Sequence, residues 1–231
     1  MKLGIMQPYF MPYIGYFQLM KAVDKYVIYN DVNYIKGGWV ARNNILVNSE
    51  KKLFSIKLAG ASQNKHFSEI QIEDDFKKFT KTLEFNYSKA PFFEPVMKLM
   101  KKILSFPEKR LDLFIKNSFE EICSYLDINT ELVLSSDIEK NNTLKGQDKI
   151  LEICRLLHAD TYYNAIGGKD LYDKKKFADK GISLVFLRTK EGLQYKQFSD
   201  VGFVPNLSLI DVLMFNSKER VNEMLGDYIL E

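Results

Sequence analysis

The stretch that decides the fold is KLGIMQPYFMPYIGYFQLMKAVDKYVIY, residues 2–29. Residues 2–6 form a short apolar run that ends at the turn-prone pair Gln7-Pro8, a pattern typical of a buried strand followed by a loop. The β-branched and aromatic run of 26–29 predicts a second strand. With a helix between them, the two strands are expected to pair in parallel through a right-handed crossover. Ligands of such sheets bind beyond the carboxyl ends of the strands, here residues 7–16 and 30–44.

The remaining sequence extends this unit into an α/β fold. Alternation over 44–47 and 53–59 predicts a hairpin or meander, and the spacing of apolar residues predicts helices over 75–89, 93–105 and 108–126. Strands are expected at 130–134, 161–165 and 182–187, with a helix starting at Thr143 and a last helix over 207–225. We therefore predict a Rossmann-like parallel-sheet core with a helical middle insertion. The expected division is 1–72 and 129–231 for the two halves of the core and 73–128 for the insertion.

Composition excludes several classes of protein. With 231 residues, 46% of them hydrophobic and 27% charged, the chain is long enough to bury a core without disulfides. Two cysteines and two histidines give no metal-ligand motif, so no metal is expected. No apolar run is long enough to span a membrane, and no signal core follows the N-terminus, so a cytoplasmic location is expected. The positive excess lies in residues 1–115 but is scattered, which argues against nucleic-acid binding.

The first candidate site is QPYFMPYIGYFQ, residues 7–18. Tyr9, Tyr13 and Tyr16 lie close to two prolines that stiffen the chain, and Gly15 permits a close approach of the backbone. Tyrosine rings offer stacking surfaces and hydroxyls to a nucleotide or a sugar. A loop folded over its own core is the alternative interpretation.

The second candidate site is NDVNYIKGGWVARNN, residues 30–44. Lys36 and Arg42 can neutralise oxyanions, Asp31 can orient an amine or accept its proton, and Trp39 can stack on a ligand. A charged surface hairpin with a buried tryptophan is the alternative interpretation.

Two weaker signals follow in the C-terminal half. Lys145 and Gln147 are expected in the first turn of a helix, where backbone amides favour an anion. The segment AIGGKD, 165–170, is a glycine-containing loop after a strand. We interpret His66 as solvent-exposed, His158 as a structural residue at a helix end, and Cys123 and Cys154 as buried packing groups.

Five segments of the chain together resemble the WbqC-like protein family. They are GIMQPYFMPYIGYFQLM at 4–20, VIYNDVNYIKGGWVARNNIL at 27–46, SSDIEKNNTLKGQDKILEIC at 135–154, YYNAIGGKDLYDKKKF at 162–177 and YKQFSDVGFVPNLSLIDVLMFN at 195–216. The resemblance extends over nearly the whole chain. At the position of His158, relatives often have glycine.

The resemblance implies a role in surface-polysaccharide or O-antigen (lipopolysaccharide) biosynthesis. A glycine or other aminoacyl transferase activity has been suggested for such proteins, which would add an acyl group to a nucleotide-linked amino sugar. The residues that match the family's motifs are carried over as site candidates, and among them we predict Asp31 and Lys36 as catalytic. The implied substrate-binding residues are Gln7, Tyr9, Tyr13, Gly15, Tyr16, Trp39, Arg42, Asn43, Lys145, Gln147, Gly167 and Gly168.

The opening segment also resembles nucleotidyltransferase-type HUP folds such as pantothenate synthetase. In those proteins a helix after the first strand carries an HxGH signature, and here YIGY at 13–16 occupies the same place. The cofactor stays open, because ATP or an already activated acyl donor would each supply the acyl group, and a homo-oligomer is compatible with the sequence. Two other functions stay open, a non-catalytic nucleotide-sugar binding protein and a glycosyltransferase.

Overall fold

The first third of the chain contains six strands and one buried helix in the computed structural model, which describes residues 1–231. The elements here are β1 (Lys2–Met6), α1 (Ile14–Lys21), β2 (Lys25–Ile28), β3 (Arg42–Val47), β4 (Glu50–Ser55), β5 (Leu58–Ala59) and β6 (Gln71–Ile72). The predicted first strand, helix and second strand are confirmed. The pairing of Leu3 with Lys25 and of Ile5 with Val27 is parallel, as predicted for a crossover through α1.

Three helices form the middle of the chain, namely α2 (Lys77–Tyr87), α3 (Phe93–Leu104) and α4 (Leu111–Tyr125). Prolines in the connections separate them, because proline cannot continue a helix in its interior. The apolar stripe of α4 is buried as its spacing predicts, including Leu111, Ile115 and Phe119. This helical segment packs into the same hydrophobic cluster as α1. The domain boundaries set out above stay a prediction.

The C-terminal part returns to alternating strands and helices. It contains β7 (Glu131–Leu134), α5 (Gly146–Leu156), β8 (Thr161–Ala165), α6 (Lys174–Ala178), β9 (Ser183–Thr189), α7 (Leu209–Phe215), α8 (Lys218–Met224) and β10 (Tyr228–Leu230). None of the eight helices is both long and apolar enough to cross a membrane.

Six strands form the central sheet in the order β10-β9-β8-β1-β2-β7. Every neighbouring pair is parallel except β9 and β10, which are antiparallel. The chain builds outward from β1 through β2 to β7, and α5 then leads it back to β8 on the other side of β1. The fold is thus α/β with a mostly parallel central sheet, and its direction of winding reverses between β1 and β8.

Alternation along β1 divides its side chains between the two faces of the sheet. Leu3 and Ile5 pack with residues of α5 and α6, such as Ile153 and Phe177, in one hydrophobic cluster. Side chains on the opposite face join the larger cluster, which contains α1 and the helical segment. Helices therefore cover both faces, as a largely parallel sheet requires.

The predicted hairpin is formed by β3 and β4. Val47 pairs with Glu50, so only Asn48 and Ser49 form the turn, and both have positive φ (49° and 64°). A two-residue turn in which both residues have positive φ has the same twist as the paired strands that it connects. The short strands β5 and β6 form a second antiparallel pair.

Three sequence-based expectations about elements need correction. The helix expected at Thr143 starts at Gly146, because the side chain of Asn141 accepts hydrogen bonds from the backbone and hydroxyl of Thr143 and forms a turn there. The expected helix over 207–225 is divided into α7 and α8, and Ser217 caps α8. Strand β10 was not expected, and its three residues are too few to show a period.

His158 follows α5 with a φ of 55°. Glycine adopts this left-handed conformation at helix ends without steric cost. The conformation at this helix end agrees with the structural interpretation of His158.

Candidate functional site

A polar cavity of about 550 Å³ lies beyond the carboxyl ends of β2 and β7. Its lining includes Asp31, His66, Ser136, Asn142, Lys145 and Lys149. We call this space the polar cavity. Its side chains come from loops after two parallel strands and from the first turn of α5, where α/β folds commonly bind ligands.

Asp31 is the central charged group of the polar cavity. Its Oδ2 atom lies 2.7 Å from Nζ of Lys140 and 3.0 Å from Nζ of Lys149. The ammonium group of Lys149 also donates to the backbone carbonyl of Asp31 at 2.9 Å. Both lysine side chains are almost fully buried, with exposed fractions of 1% and 7%. The arrangement fixes one carboxylate between two ammonium groups.

These contacts determine the charge state of Asp31. Burial raises the pKa of its carboxyl group, but the contacts with the ammonium groups of Lys140 and Lys149 outweigh burial and hold the pKa below its ordinary value. Asp31 is therefore ionised at neutral pH, and the trio of Asp31, Lys140 and Lys149 carries one excess positive charge.

The first turn of α5 adds to this positive charge. Lys145 is the exposed N-cap residue of the helix and forms no ion pair within the protein. The ammonium group of Lys149 lies 5.2 Å from the centre of the Tyr29 ring, a favourable cation–π distance. Backbone amides at a helix N-terminus attract anions. Lys145, Lys149 and this helix end together make the cavity suited to an anionic ligand.

A buried hydrogen-bond network supports the loop that carries Asp31. The side-chain amide of Asn30 donates to Oδ2 of Asp112 at 2.8 Å and to the hydroxyl of Ser136 at 3.0 Å. The backbone amide of Ser136 donates back to the Asn30 side chain at 3.0 Å. Arg110 forms an ion pair with the same oxygen of Asp112 at 2.9 Å. The network joins the ends of β2 and β7 to α4, so the position of Asp31 is fixed from three elements.

A second cavity of about 500 Å³ is lined by aromatic and amide side chains. We call it the aromatic groove and define it by Tyr9, Pro12, Tyr13, Trp39, Asn43, Asn44, Lys51 and Asn206. It shares no lining residue with the polar cavity. The second candidate segment, residues 30–44, thus contributes Asp31 to the polar cavity and Trp39 to the aromatic groove.

The residues around Trp39 hold one another in place. Trp39 is 49% exposed, and the guanidinium group of Arg42 lies 5.5 Å from the centre of its ring. Arg42 donates to the carbonyl groups of Gly37 and Gly38. Asn43 is buried, and its side-chain amide donates to the carbonyl of Met11 at 2.7 Å. Arg42 and Asn43 therefore shape the groove through backbone contacts.

Three of the predicted residues lie beneath the aromatic groove or away from it. Tyr16 is buried against the rings of Tyr26 and Phe119, and its hydroxyl donates to the carbonyl of Gln7 at 2.7 Å. A Cβ atom on Gly15 would lie 2.3 Å from the Tyr13 ring. These contacts give Tyr16, Gln7 and Gly15 packing roles, and ligand binding by them stays a prediction.

The other predicted residues are dispersed. Lys36 is exposed on the loop between Asp31 and Trp39 but lines neither cavity, so its catalytic role stays a prediction. Gln147 accepts a hydrogen bond from the backbone amide of Asp173 at 2.6 Å. Gly167 and Gly168 lie in a 3-10 helix after β8, where Gly168 packs closely against Asn164. Only Asp31 and Lys145 of the predicted residues line the polar cavity.

Sequence reasoning missed Lys140, Lys149 and Ser136 as parts of the site. Lys149 could have been found, because it occupies the buried side of α5 beside Ile150, a position that a lysine rarely takes unpaired. His66, interpreted as solvent-exposed, is exposed and also lines the polar cavity. Cys123 and Cys154 are buried as predicted, and burial raises the pKa of each thiol to about 12.

Comparisons with known proteins identify relatives but no characterised one. The model of the WbqC-like protein family matches residues 7–223. The chain is also similar to "Uncharacterized protein Rv1507c" of Mycobacterium tuberculosis (strain ATCC 25618 / H37Rv), with 29% identity over 219 residues and 93% of each chain covered. No solved structure matches the chain.

Proposed function

The chain belongs to the WbqC-like protein family, and from this membership and the polar cavity we propose that it is a transferase of surface-polysaccharide biosynthesis. The proposed reaction adds an acyl or aminoacyl group to a nucleotide-linked amino sugar. The observation that carries the proposal is the fixed trio of Asp31, Lys140 and Lys149 beside the start of α5. Nucleotide-linked sugars are cytoplasmic metabolites, so the proposal places the protein in the cytoplasm.

The charge of the polar cavity suits the diphosphate of such a substrate. Asp31, Lys145 and Lys149 line the cavity, and Lys140 pairs with Asp31, so these four side chains carry an excess of two positive charges. Lysine binds phosphate as a point charge, and helix N-termini bind it through backbone amides. A cavity of about 550 Å³ lies within the range of small-molecule sites.

In the proposed acyl transfer the charged groups of the polar cavity have different roles. In the transfer, the sugar amine attacks the acyl carbon, a C–N bond forms, the bond from that carbon to the leaving group of the donor breaks, and the amine loses a proton. Asp31 is ionised, so its carboxylate can accept a hydrogen bond from the amine, orient it and take its proton. His66 lines the same cavity and is a second residue of a type that moves protons.

The order of the strands agrees with a nucleotide-binding fold. Numbered in chain order, the six strands of the central sheet lie in the order 3-2-1-4-5-6. This is the order of Rossmann-type folds, which bind nucleotides beyond the carboxyl ends of their strands. We propose on this basis that the core is Rossmann-like, and the HUP group is one such arrangement.

Product analysis by mass spectrometry tests the proposal. The purified protein is incubated with nucleotide-linked amino sugars, each with ATP and an amino acid or with an acyl-CoA. We expect one combination to give a product heavier by the acyl group, with AMP or ADP released where ATP is the activator. Binding of an amino-sugar nucleotide without product from any donor contradicts the transferase and instead indicates a binding protein.

A further inference from the structure

Polar groups without protein partners converge in the aromatic groove. The side-chain amides of Asn44 and Asn206, the indole N–H of Trp39 and the hydroxyl of Tyr13 form no hydrogen bond within the protein. Trp39 is 49% and Tyr13 39% exposed, so part of each ring surface is in contact with solvent. The groove therefore combines exposed aromatic surface with several free donors and acceptors.

The groove is rigid although it lies at the surface. Asn43 and Ser208 both donate to the carbonyl of Met11, each at 2.7 Å, and this joins the segment 7–18 to the start of α7. Tyr13 also forms an isolated bridge with Ser208. A preformed site of this kind loses little conformational entropy when a ligand binds.

The residues that line the groove favour a neutral ligand with many hydroxyl groups. Indole and phenol rings offer apolar surfaces that match the C–H faces of a pyranose ring, and amide groups both donate to and accept from hydroxyls. No carboxylate lines the groove, and Lys51 is its one cationic residue. A polyanion would therefore find little charge there, in contrast to the polar cavity.

The groove also has room for more than one sugar residue. Its volume is about 500 Å³, and an adjoining pocket of about 390 Å³ shares Tyr13 and Asn206 with it. Leu193, Tyr195 and Phe203 add apolar surface to this adjoining pocket.

We infer that the aromatic groove is a binding site for a neutral saccharide, separate from the polar cavity. The ligand stacks on Trp39 and Tyr13 and forms hydrogen bonds with the amides of Asn44 and Asn206. The base of a nucleotide would use similar contacts, but its phosphates would meet only Lys51 and an Arg42 guanidinium that already donates to the carbonyls of Gly37 and Gly38. The charged cavity shares no residue with the groove. The inference stands whether or not the protein is a transferase.

Intrinsic fluorescence measures binding at this place directly, because Trp39 is the only tryptophan in the chain. The wild-type protein is titrated with maltotriose, mannotriose and tri-N-acetylchitotriose, and separately with uridine and adenosine. We expect a saturable change in Trp39 emission with at least one trisaccharide and no such change with the nucleosides. Absence of saturation with all three trisaccharides overturns the inference, and a nucleoside response equal to or stronger than the saccharide response overturns it in favour of a nucleobase site.

The variant Asn206→Gly tests how much one side-chain amide of the groove contributes to saccharide binding. Asn206 has a φ of 57°, so glycine removes the amide without backbone strain. We expect at least tenfold weaker binding of the trisaccharide. Asn48→Gly is the matched control, because Asn48 is also exposed with a positive φ (49°) but lies in the β3–β4 turn outside the groove. Equal affinity of the Asn206→Gly variant and the wild type contradicts the assigned contact.

Discussion

The polar cavity and the aromatic groove each take a residue from one loop, residues 29–41, yet they hold their polar groups in opposite ways. In the polar cavity the groups are charged and bound to one another, as Asp31 is to Lys140 and Lys149. In the aromatic groove they are neutral, and amides such as that of Asn206 have no partner. Buried charges must be paired, whereas exposed amides remain stable in contact with water.

This difference indicates that the two regions bind different kinds of ligand. A preorganised set of charges stabilises an anion or a developing charge at a fixed place, because the groups need not move when the ligand arrives. Unpaired amides beside aromatic rings suit a ligand with many hydroxyls. Changes in one region should therefore leave binding in the other unaltered.

The largest expected effect is that of Asp31→Asn on turnover. Loss of the carboxylate removes the group that orients the amine, so we expect the rate to fall about 100-fold, in the range of a lost acid–base contribution. Affinity for the anionic substrate should stay equal or rise, because the cavity gains positive charge. Turnover and binding are measured on the same preparations, with exposed Asp179→Asn as control. Wild-type turnover in Asp31→Asn would remove Asp31 from the mechanism.

Lys149→Met should have the next largest effect, on stability. Methionine keeps the volume but leaves the half-buried carboxylate of Asp31 with Lys140 as its only ammonium partner. Removal of one member of a buried ion pair typically costs 3–5 kcal/mol, and the remaining lysine reduces this to about 2 kcal/mol. Urea denaturation gives the free energy of unfolding. Lys176→Met, at an exposed position of α6, is expected to change it little, and equal values for both variants would contradict the buried trio.

Lys145→Ala separates binding from stability. Lys145 is exposed and forms no ion pair, so its loss should leave the melting temperature unchanged. Affinity for a nucleotide-linked amino sugar should fall about tenfold, the effect of one charge-assisted contact. Calorimetric titration provides the comparison, with exposed Lys98→Ala as control. Saccharide binding in the aromatic groove should be the same in both variants. Weaker saccharide binding by Lys145→Ala would contradict the proposed independence of the two sites.

Gly15→Ala should alter the aromatic groove alone. The added methyl group would lie 2.3 Å from the Tyr13 ring and 2.9 Å from the hydroxyl of Thr189, so the half-exposed Tyr13 ring must move. We expect a cost of about 1 kcal/mol in stability, typical of mild overpacking, and a clear loss of the Trp39 fluorescence response to saccharide. Nucleotide-sugar affinity should not change. A crystal structure of the variant with Tyr13 in its wild-type position would contradict the expectation.

The smallest effect concerns pH and the ion pairs of Asp31. Because the pKa of Asp31 is lowered in the folded state, its contribution to stability is present above its ordinary pKa of about 4 and is lost as pH falls through the folded value. The difference in unfolding free energy between wild type and Asp31→Asn should therefore shrink below pH 4. Urea denaturation at pH 6, 4 and 3 measures it, and a constant difference would contradict the lowered pKa.

The sequence predicted those features of the fold that depend on local pattern. The first parallel pair, the β3–β4 hairpin and the buried stripe of α4 follow from periodicity over a few residues. Strand β10 depends on a contact with a distant segment, the pairing of Ile229 with Arg188. Local periodicity carries no information on such contacts.

The candidate site was less predictable for the same reason. Residues 30–44 are continuous in sequence, but Asp31 lies in the polar cavity and Trp39 in the aromatic groove. Tyr16 looked like Tyr13 in the sequence, yet its place on α1 buries it against Phe119. Lys140 approaches Asp31 across more than a hundred residues, so only the folded chain brings the two together.

The most direct test of the central claim is a crystal structure with a nucleotide-linked amino sugar bound. We expect phosphate oxygens within hydrogen-bonding distance of Lys145 and Lys149, with the amino sugar near Asp31. Phosphates bound elsewhere, for example beside Lys51 in the aromatic groove, would contradict the assignment of the polar cavity as the anion site.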